Sequence, residues 1–161
     1  KIAMITGREN HDSAFFPGVS CADPFLPDTI QFTERNSQKL KDYYLKNPFI
    51  RHKAGMPDLR SLKRISVAPA NPYWSPIGPA EFELRQIIDA KKKKYRGLND
   101  KEFIFYHRKE GCSYYDQYQA YIDADIIIFN SAKYKIECLI DRKPATDVEI
   151  IEEVDEFLDS F

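Results

Sequence analysis

The residues best suited to chemistry in this sequence are His107 and Glu110, three positions apart with Arg108 between them. A histidine held by a carboxylate serves as a general base near neutral pH, so the pair is a candidate catalytic site, and His11 is a further candidate neighbour from an earlier loop. A histidine in a charged surface turn is the commoner arrangement, and that alternative stays open. The three histidines lack metal-ligand spacing, so no metal site is predicted.

Two other groups of residues are typical of ligand binding. Gly7 followed by Arg8 would let the backbone approach a phosphate that the guanidinium holds, and Arg108 would hold phosphate as well. Asn71 and Trp74 lie in a loop with four prolines, where they would bracket a flat ring such as a base. The alternatives are a turn glycine beside a solvated arginine, and a loop fixed to the core by its aromatic residues.

Several familiar motifs are absent. The sequence contains neither GxGxxG nor GxxxxGK[ST], so it has neither the dinucleotide fingerprint nor a P-loop, and no serine lies in a GxSxG-like turn. Cys21, Cys112 and Cys138 are far apart and include no CxxC pair. Reduced thiols are therefore expected, rather than a disulfide framework or a zinc site, and no cofactor is predicted.

The candidate residues follow segments that the sequence predicts to be strands. Apolar runs predict strands over residues 1–6, 65–68, 102–107 and 125–129. Helices are predicted over residues 35–46 and 79–94, from Ser113 to Ile122, and from a capping box at Thr146 and Glu149 to Phe161. Residues 8–32 form a long loop, and residues 136–140 are either a strand or the second half of a helix begun at Ser131.

Strands that alternate with helices favour one α/β domain over residues 1–161, with a Rossmann-like, open, mainly parallel sheet and helices on both faces. Ligands bind such sheets beyond the carboxyl ends of the strands. Polar loops are expected there, and they carry the predicted ligand-binding residues Gly7, Arg8, Asn71, Trp74, Arg108, Asn130 and Ser131. Because Phe161 continues the apolar stripe of the last helix, the chain is expected to belong to a longer protein.

The composition limits the class of partner. A net charge of −1 and a pI near 6.4 argue against a general nucleic-acid or membrane-surface binder. Basic runs at residues 60–64 and 91–96 leave local nucleic-acid contact open. The longest apolar run, residues 126–129, is too short to span a membrane, and no signal peptide opens the sequence, so a cytoplasmic protein is predicted.

Residues 102–139, above all the segment DADIIIFNS at 123–131, resemble part of the N-terminal half of GT-B-fold glycosyltransferases, as does the strand at residues 1–7. The resemblance covers about 45 of the 161 residues. The glycine-rich turn expected after the first strand is replaced by a proline-containing loop, and the C-terminal half is absent. The resemblance implies a fragment, partner subunit or degenerate relative that binds a nucleotide or nucleotide sugar.

Shorter segments resemble two other families. Asn130-Ser131, Lys135 and the segment PAT at 144–146 look like the entry to an ATP-grasp domain. The segment at 125–127, with Glu137 and Lys143-Pro144, is similar to nucleoside deoxyribosyltransferase-like proteins. Since all three families handle nucleotides or nucleosides, the ligand class is predicted more firmly than the reaction.

Two hypotheses follow from the sequence. In the first, the domain binds a nucleotide or nucleotide sugar and supports glycosyl transfer, with His107 or Glu110 as the base. In the second, it is a non-catalytic protein-interaction module, accessory to a larger assembly or virus-encoded. That module would use its aromatic loops and the acidic face of the last helix.

Overall fold

The computed structural model describes residues 1–50 and 55–152, which form a mixed α/β arrangement. The strands are β1 (Ile2–Ile5), β2 (Ile77–Pro79), β3 (Lys91–Arg96), β4 (Glu102–His107) and β5 (Ile126–Phe129). The helices are α1 (Ser37–Leu45), α2 (Arg64–Val67), α3 (Ser113–Asp116), α4 (Ala120–Asp123) and α5 (Ser131–Leu139). A 3₁₀ turn (Gln117–Gln119) joins α3 to α4 in one helical run, residues 113–123, called here the central run. Further 3₁₀ turns are Arg8–Asn10, Glu34–Asn36, Leu59–Ser61, Ala68–Ala70, Ala80–Phe82 and Leu98–Asp100.

The described strands form two sheets. Strands β1 and β5 pair in parallel, with Ile2 opposite Ile126 and Ile5 opposite Phe129. Strand β4 lies between β2 and β3 and is antiparallel to both. The α/β class is confirmed, but a single, mainly parallel sheet is not what the described strands form. The reason lies in residues 97–101, because so short a connection joins β3 to β4 only as antiparallel neighbours.

Two predicted elements are wrong. Residues 65–68 belong to helix α2 and the turn after it, where Val67 packs with Ile30 and Leu40. A four-residue apolar run looks alike in a strand and in a short buried helix. The predicted helix over residues 79–94 is one 3₁₀ turn followed by strand β3. In β3 the half-buried Lys93 and the buried Tyr95 share a face, which is the period of a strand.

The other predicted elements are confirmed where the structure describes them, except the start of the last helix. The strands at the start of the chain, at 102–107 and at 126–129 are present, as are helix α1 and the central run. The ambiguous residues 136–140 continue helix α5 as far as Leu139. Residues 146–152 are not helical, since Glu149 turns its carboxylate towards Tyr134 and Lys143, and the rest of the predicted last helix lies outside the described residues.

The core is built around the central run. Its four tyrosines are buried and meet one another edge to face, and Tyr121 also meets Tyr95 of β3: Tyr114, Tyr115, Tyr118 and Tyr121. Ile5 of β1 and Phe105 of β4 pack in the same cluster, so the central run connects the two sheets. Within the described residues, no helix is long and apolar enough to cross a bilayer.

Candidate functional site

An open depression of about 350 Å³ lies at the end of β4. It is lined by Lys91, His107, Arg108, Lys109 and Glu110. Three of these five residues were predicted from the sequence as site residues. The residues that line the depression include three basic side chains and one acidic side chain, that of Glu110. The Glu110 carboxylate lies 3.4 Å from the Nζ of Lys91.

His107 is held in a fixed orientation beside this depression. Its ring stacks on Phe105, with the ring centres 5.1 Å apart, and its Nε2 lies 2.9 Å from Oδ1 of Asp116. The other carboxylate oxygen of Asp116 accepts a hydrogen bond from the backbone N–H of Gly111 at 2.8 Å. With Asp116 accepting the Nε2 proton, Nδ1 carries the lone pair.

The carboxylate that orients His107 is therefore Asp116 and not Glu110. Gly111 has a φ of +110°, which reverses the chain after β4 and returns the central run to the strand end. Glu110 lies on the outside of this turn, with 73% of its side chain exposed. Sequence spacing alone favoured Glu110 because it is three positions from His107, whereas Asp116 is nine positions away.

The guanidinium of Arg108 is occupied by hydrogen bonds within the protein. Its guanidinium donates to both carboxylate oxygens of Asp89 at 3.0–3.1 Å and to the backbone oxygen of Asn71 at 2.9 Å. The side chain is only 3% exposed and lies over the ring of Phe49. Arg108 therefore fixes the loop before β2, and its donors are not available to hold a phosphate.

Arg8 is also engaged. It donates to the carboxylate of Asp28 at 2.7 Å and to the hydroxyl of Tyr115 at 3.0 Å, and its guanidinium lies 4.3 Å from the ring centre of Tyr114. Burial opposes the charge of Arg8, but Tyr115, Tyr114 and Asp28 raise its pKa above the ordinary value. The predicted phosphate clamp is thus a buried ion pair.

Asn71 belongs to the same network as Arg8. Its Nδ2 donates to the second oxygen of Asp28 at 3.2 Å, and the Tyr115 hydroxyl donates to Asp28 as well. The loops that carry Arg108, Asn71 and Arg8 therefore do converge. Arg108 donates to the backbone oxygen of Asn71, and the side chains of Asn71 and Arg8 both donate to Asp28. They converge on the buried carboxylate of Asp28, which was not among the residues predicted from the sequence.

The remaining predicted residues have local structural roles. The Asn130 side chain caps α5 by accepting the N–H of Lys133 at 2.8 Å, and the exposed Ser131 begins that helix. A Cβ at Gly7 would overlap the carboxylate of Glu9, so this glycine accommodates Glu9 rather than an empty phosphate position.

The aromatic residue beside the depression is Tyr73 and not Trp74. Trp74 is 7% exposed and belongs to the core, whereas Tyr73 is half-buried and lies beneath the Nζ of Lys109, 4.6 Å from its ring centre. Because both residues lie in the same proline-rich loop, spacing could not decide which ring turns outward.

His11 bonds away from His107. Its Nε2 lies 2.7 Å from the Thr6 hydroxyl, and its Nδ1 lies 2.9 Å from the hydroxyl of Ser113. Burial is the main cause that lowers the pKa of His11 below its ordinary value. His11 therefore joins the first loop to the central run as a neutral ring, and its sequence separation of 102 residues from Ser113 gave no signal of this contact.

The described residues contain no group of His, Cys, Asp or Glu side chains arranged to hold a metal ion. The chain matches no family model, no curated protein and no solved structure.

Proposed function

We propose that this chain binds a nucleotide or nucleotide sugar in the depression beside His107 and supports glycosyl transfer. The observation that carries the proposal is the oriented His107–Asp116 pair on the wall of a depression that Lys91 and Lys109 make positive. The parallel pairing of β1 with β5 is in keeping with an α/β domain, and the resemblance to glycosyltransferases suggests the reaction.

The two lysines suit phosphate oxygens. The Lys91 side chain is 74% exposed, and its partner Glu110 is equally exposed, so an exposed pair of this kind is weak and easily exchanged for a phosphate. Lys109 extends over Tyr73, which places a cation and an aromatic face side by side at the rim. A phosphate with an attached base or sugar ring matches that combination.

His107 would act as the general base. Its Nδ1 takes the proton of an acceptor hydroxyl, whose oxygen then attacks the anomeric carbon of the donor sugar. The bond from that carbon to the phosphate oxygen breaks, and the nucleoside diphosphate leaves with the electron pair. Lys91 and Lys109 stabilise the charge that develops on the leaving phosphate. Asp116 positions the imidazole through the hydrogen bond at Nε2.

Binding is tested by calorimetry of the whole chain with UDP-glucose, UDP, ATP, AMP and inorganic phosphate. A double Lys91→Ala, Lys109→Ala variant should weaken binding roughly a hundredfold or more, since each lost charged contact is worth about 1.4 kcal/mol or more. Lys94→Ala is the matched control, because Lys94 is exposed on the same strand but does not line the depression. Equal losses in both variants, or no binding across the panel, would overturn the proposal.

Catalysis is tested separately by UDP release from UDP-glucose. His107→Gln should lower turnover by about two to four orders of magnitude while the dissociation constant stays within a factor of three. Asp116→Asn should lower turnover while leaving the dissociation constant nearly unchanged, because it replaces the carboxylate that orients His107. Unchanged turnover in His107→Gln would show that this histidine is not the base.

A second candidate function, protein interaction, is favoured by the outer face of the β1–β5 sheet. Ile2 and Met4 of β1 are 67% and 61% exposed, and they lie opposite Ile126 and Ile128 of β5, which are also exposed. Parallel strands are normally covered on both faces. Light scattering over a range of chain concentrations tests self-association through this face. A dimer that forms with increasing chain concentration, and that Met4→Lys abolishes, would favour the interaction module. A monomer at every concentration would contradict self-association through this face.

A further inference from the structure

A serine, a histidine and a threonine from two distant parts of the chain meet beside the end of β1. Nδ1 of His11 lies 2.9 Å from the hydroxyl of Ser113, and Nε2 of the same ring lies 2.7 Å from the hydroxyl of Thr6. Enzymes that transfer acyl groups activate a hydroxyl in this way, with a base in hydrogen-bonding range and a third group that holds the base. The three residues therefore have the geometry of a nucleophile, its base and a positioning group.

The fold fixes each of these side chains. Thr6 follows β1, where its N–H donates to Oε1 of Gln117 at 2.9 Å and its carbonyl oxygen accepts from Nε2 of Gln117 at 3.2 Å. His11 follows the first 3₁₀ turn, and its ring meets the ring of Tyr114 edge to face with the centres 5.6 Å apart. Ser113 is the first residue of the central run. The imidazole is thus held between the first loop and the central run.

The serine is open to solvent, and its base is partly shielded. Ser113 is exposed, whereas His11 and Thr6 are half-buried. An acyl group can therefore reach the Ser113 hydroxyl from outside without any rearrangement of the core. The imidazole, by contrast, keeps a fixed orientation because its two nitrogens are both hydrogen-bonded.

The imidazole is in the form that accepts a proton. Burial is the main cause that lowers the pKa of His11 below its ordinary value, and of the two charged groups that act on it, Glu9 raises the pKa and Lys133 lowers it. The ring is therefore mostly neutral at pH 7. In the tautomer with its proton on Nε2, the ring donates to Thr6 and accepts the hydroxyl proton of Ser113 at Nδ1.

We propose that Ser113, with His11 as its base, is a nucleophilic site that takes an acyl group from an activated ester such as an aryl acetate. The Ser113 oxygen attacks the carbonyl carbon while Nδ1 of His11 takes its proton, which gives a tetrahedral intermediate. The bond from that carbon to the aryl oxygen then breaks, and the phenolate leaves with the electron pair and receives the proton from His11. Water, deprotonated by His11, attacks the acyl group next. The bond to the Ser113 oxygen breaks, the carboxylic acid leaves, and Ser113 regains its proton.

Ser131 provides an internal comparison. It is exposed and is the first residue of helix α5, as Ser113 is the first residue of the central run. The two described histidines bond to other groups, since His11 contacts Ser113 and His107 contacts Asp116. If exposure at the start of a helix controls reactivity, the two serines react alike. If the imidazole controls it, Ser113 reacts about a hundredfold faster or more, which is the usual contribution of a positioned general base.

The first test treats the folded chain with diisopropyl fluorophosphate at pH 7 and follows the labelled peptides by mass spectrometry. We expect the peptide with Ser113 to be labelled about a hundredfold faster than the peptide with Ser131. In His11→Gln the rate at Ser113 should fall to that of Ser131, because glutamine can hydrogen-bond to a hydroxyl but does not take its proton. Equal rates for the two serines in the wild-type chain, or an unchanged rate in His11→Gln, would overturn the proposal.

The second test measures the whole reaction by the release of p-nitrophenol from p-nitrophenyl acetate. Ser113→Ala gives the background from the lysines, and the wild-type chain should exceed it. Thr6→Val should remove most of this excess and Thr6→Ser should restore it, since only the hydroxyl holds the imidazole. Equal release by the wild-type chain and Ser113→Ala would contradict the nucleophile. The comparison of Ser113 with Ser131 stands even if a variant does not fold, and neither test depends on nucleotide binding.

Discussion

The buried carboxylate of Asp28 offers the sharpest test of how this fold is held together. Its side chain is 2% exposed and accepts hydrogen bonds from Arg8, Tyr115 and Asn71. The substitution Asp28→Asn keeps the volume of the side chain and removes its charge. The guanidinium of Arg8 then has no counter-ion, and the Asn71 amide faces another amide.

The expected loss follows from the exposure of the two partners. Removing one member of a buried ion pair costs about 3–5 kcal/mol. Because the Arg8 side chain keeps 26% of its surface in water, its charge remains partly hydrated, and the lower end of about 3 kcal/mol is expected. For a chain of this length that corresponds to a fall in Tm of roughly 6–12 °C.

Urea unfolding followed by tryptophan fluorescence measures this loss, since the single tryptophan is buried in the core. Glu34→Gln is the control, because Glu34 pairs with Arg60 at 2.9 Å but both side chains are at least 70% exposed, so less than about 1 kcal/mol is expected. Arg8→Met in the Asp28→Asn background should cost less than the sum of the two single changes. Asp28→Asn and Glu34→Gln with equal effects would refute the reasoning.

Three further predictions concern stability and titration. Glu137→Gln should cost about 3–5 kcal/mol in urea unfolding, since Glu137 is fully buried between Arg142 and Lys133. Burial alone would raise the Glu137 pKa, but these two cations lower it below 4.5, so its stabilisation is present above that pH and is lost on acidification. Acid unfolding below pH 4.5 should therefore be less steep in the variant. The ring of His11 should titrate below pH 6.5 by NMR, and its contribution to stability should be lost as the pH falls from 6.5 through that midpoint. Gly97→Ala should lower the free energy of unfolding by about 1–3 kcal/mol, because the added Cβ would overlap a backbone oxygen just after α5.

The fold was predictable where the pattern of one element is long or distinctive. Residues 126–129 are a continuous β-branched and aromatic run, and the central run begins with a Ser-x-x-Asp start signal. Strand β3 was not predictable, because four consecutive lysines hide its alternation. Only the long aliphatic stem of Lys93 allows that residue to share the inner face with Tyr95. The pairing of β3 with β4 depends on tertiary contacts, and no single segment of the sequence indicates it.

The partners of the candidate site residues were not predictable from the sequence. His107, Arg108 and Glu110 line one depression at the end of β4, but β4 lies in the antiparallel sheet, whereas the rule used to select these residues applies to the carboxyl ends of parallel strands. The rule does not say which charges face inward. Asp28 lies twenty positions after Arg8 in a proline-rich loop, and only the folded path of that loop reveals that it neutralises Arg8. Arg8 and Arg108 were therefore assigned to a ligand that they do not need.

The first turn of the central run explains why those two arginines still matter for the proposed site. Ser113 contacts His11, Tyr115 contacts Asp28, and Asp116 orients His107. Adjacent residues of one hydrogen-bonded turn cannot move independently. A change in the buried pair therefore reaches the imidazole through a single residue step, from Tyr115 to Asp116. We therefore expect the orientation of His107 to depend on the integrity of the Asp28 network although the two share no direct contact.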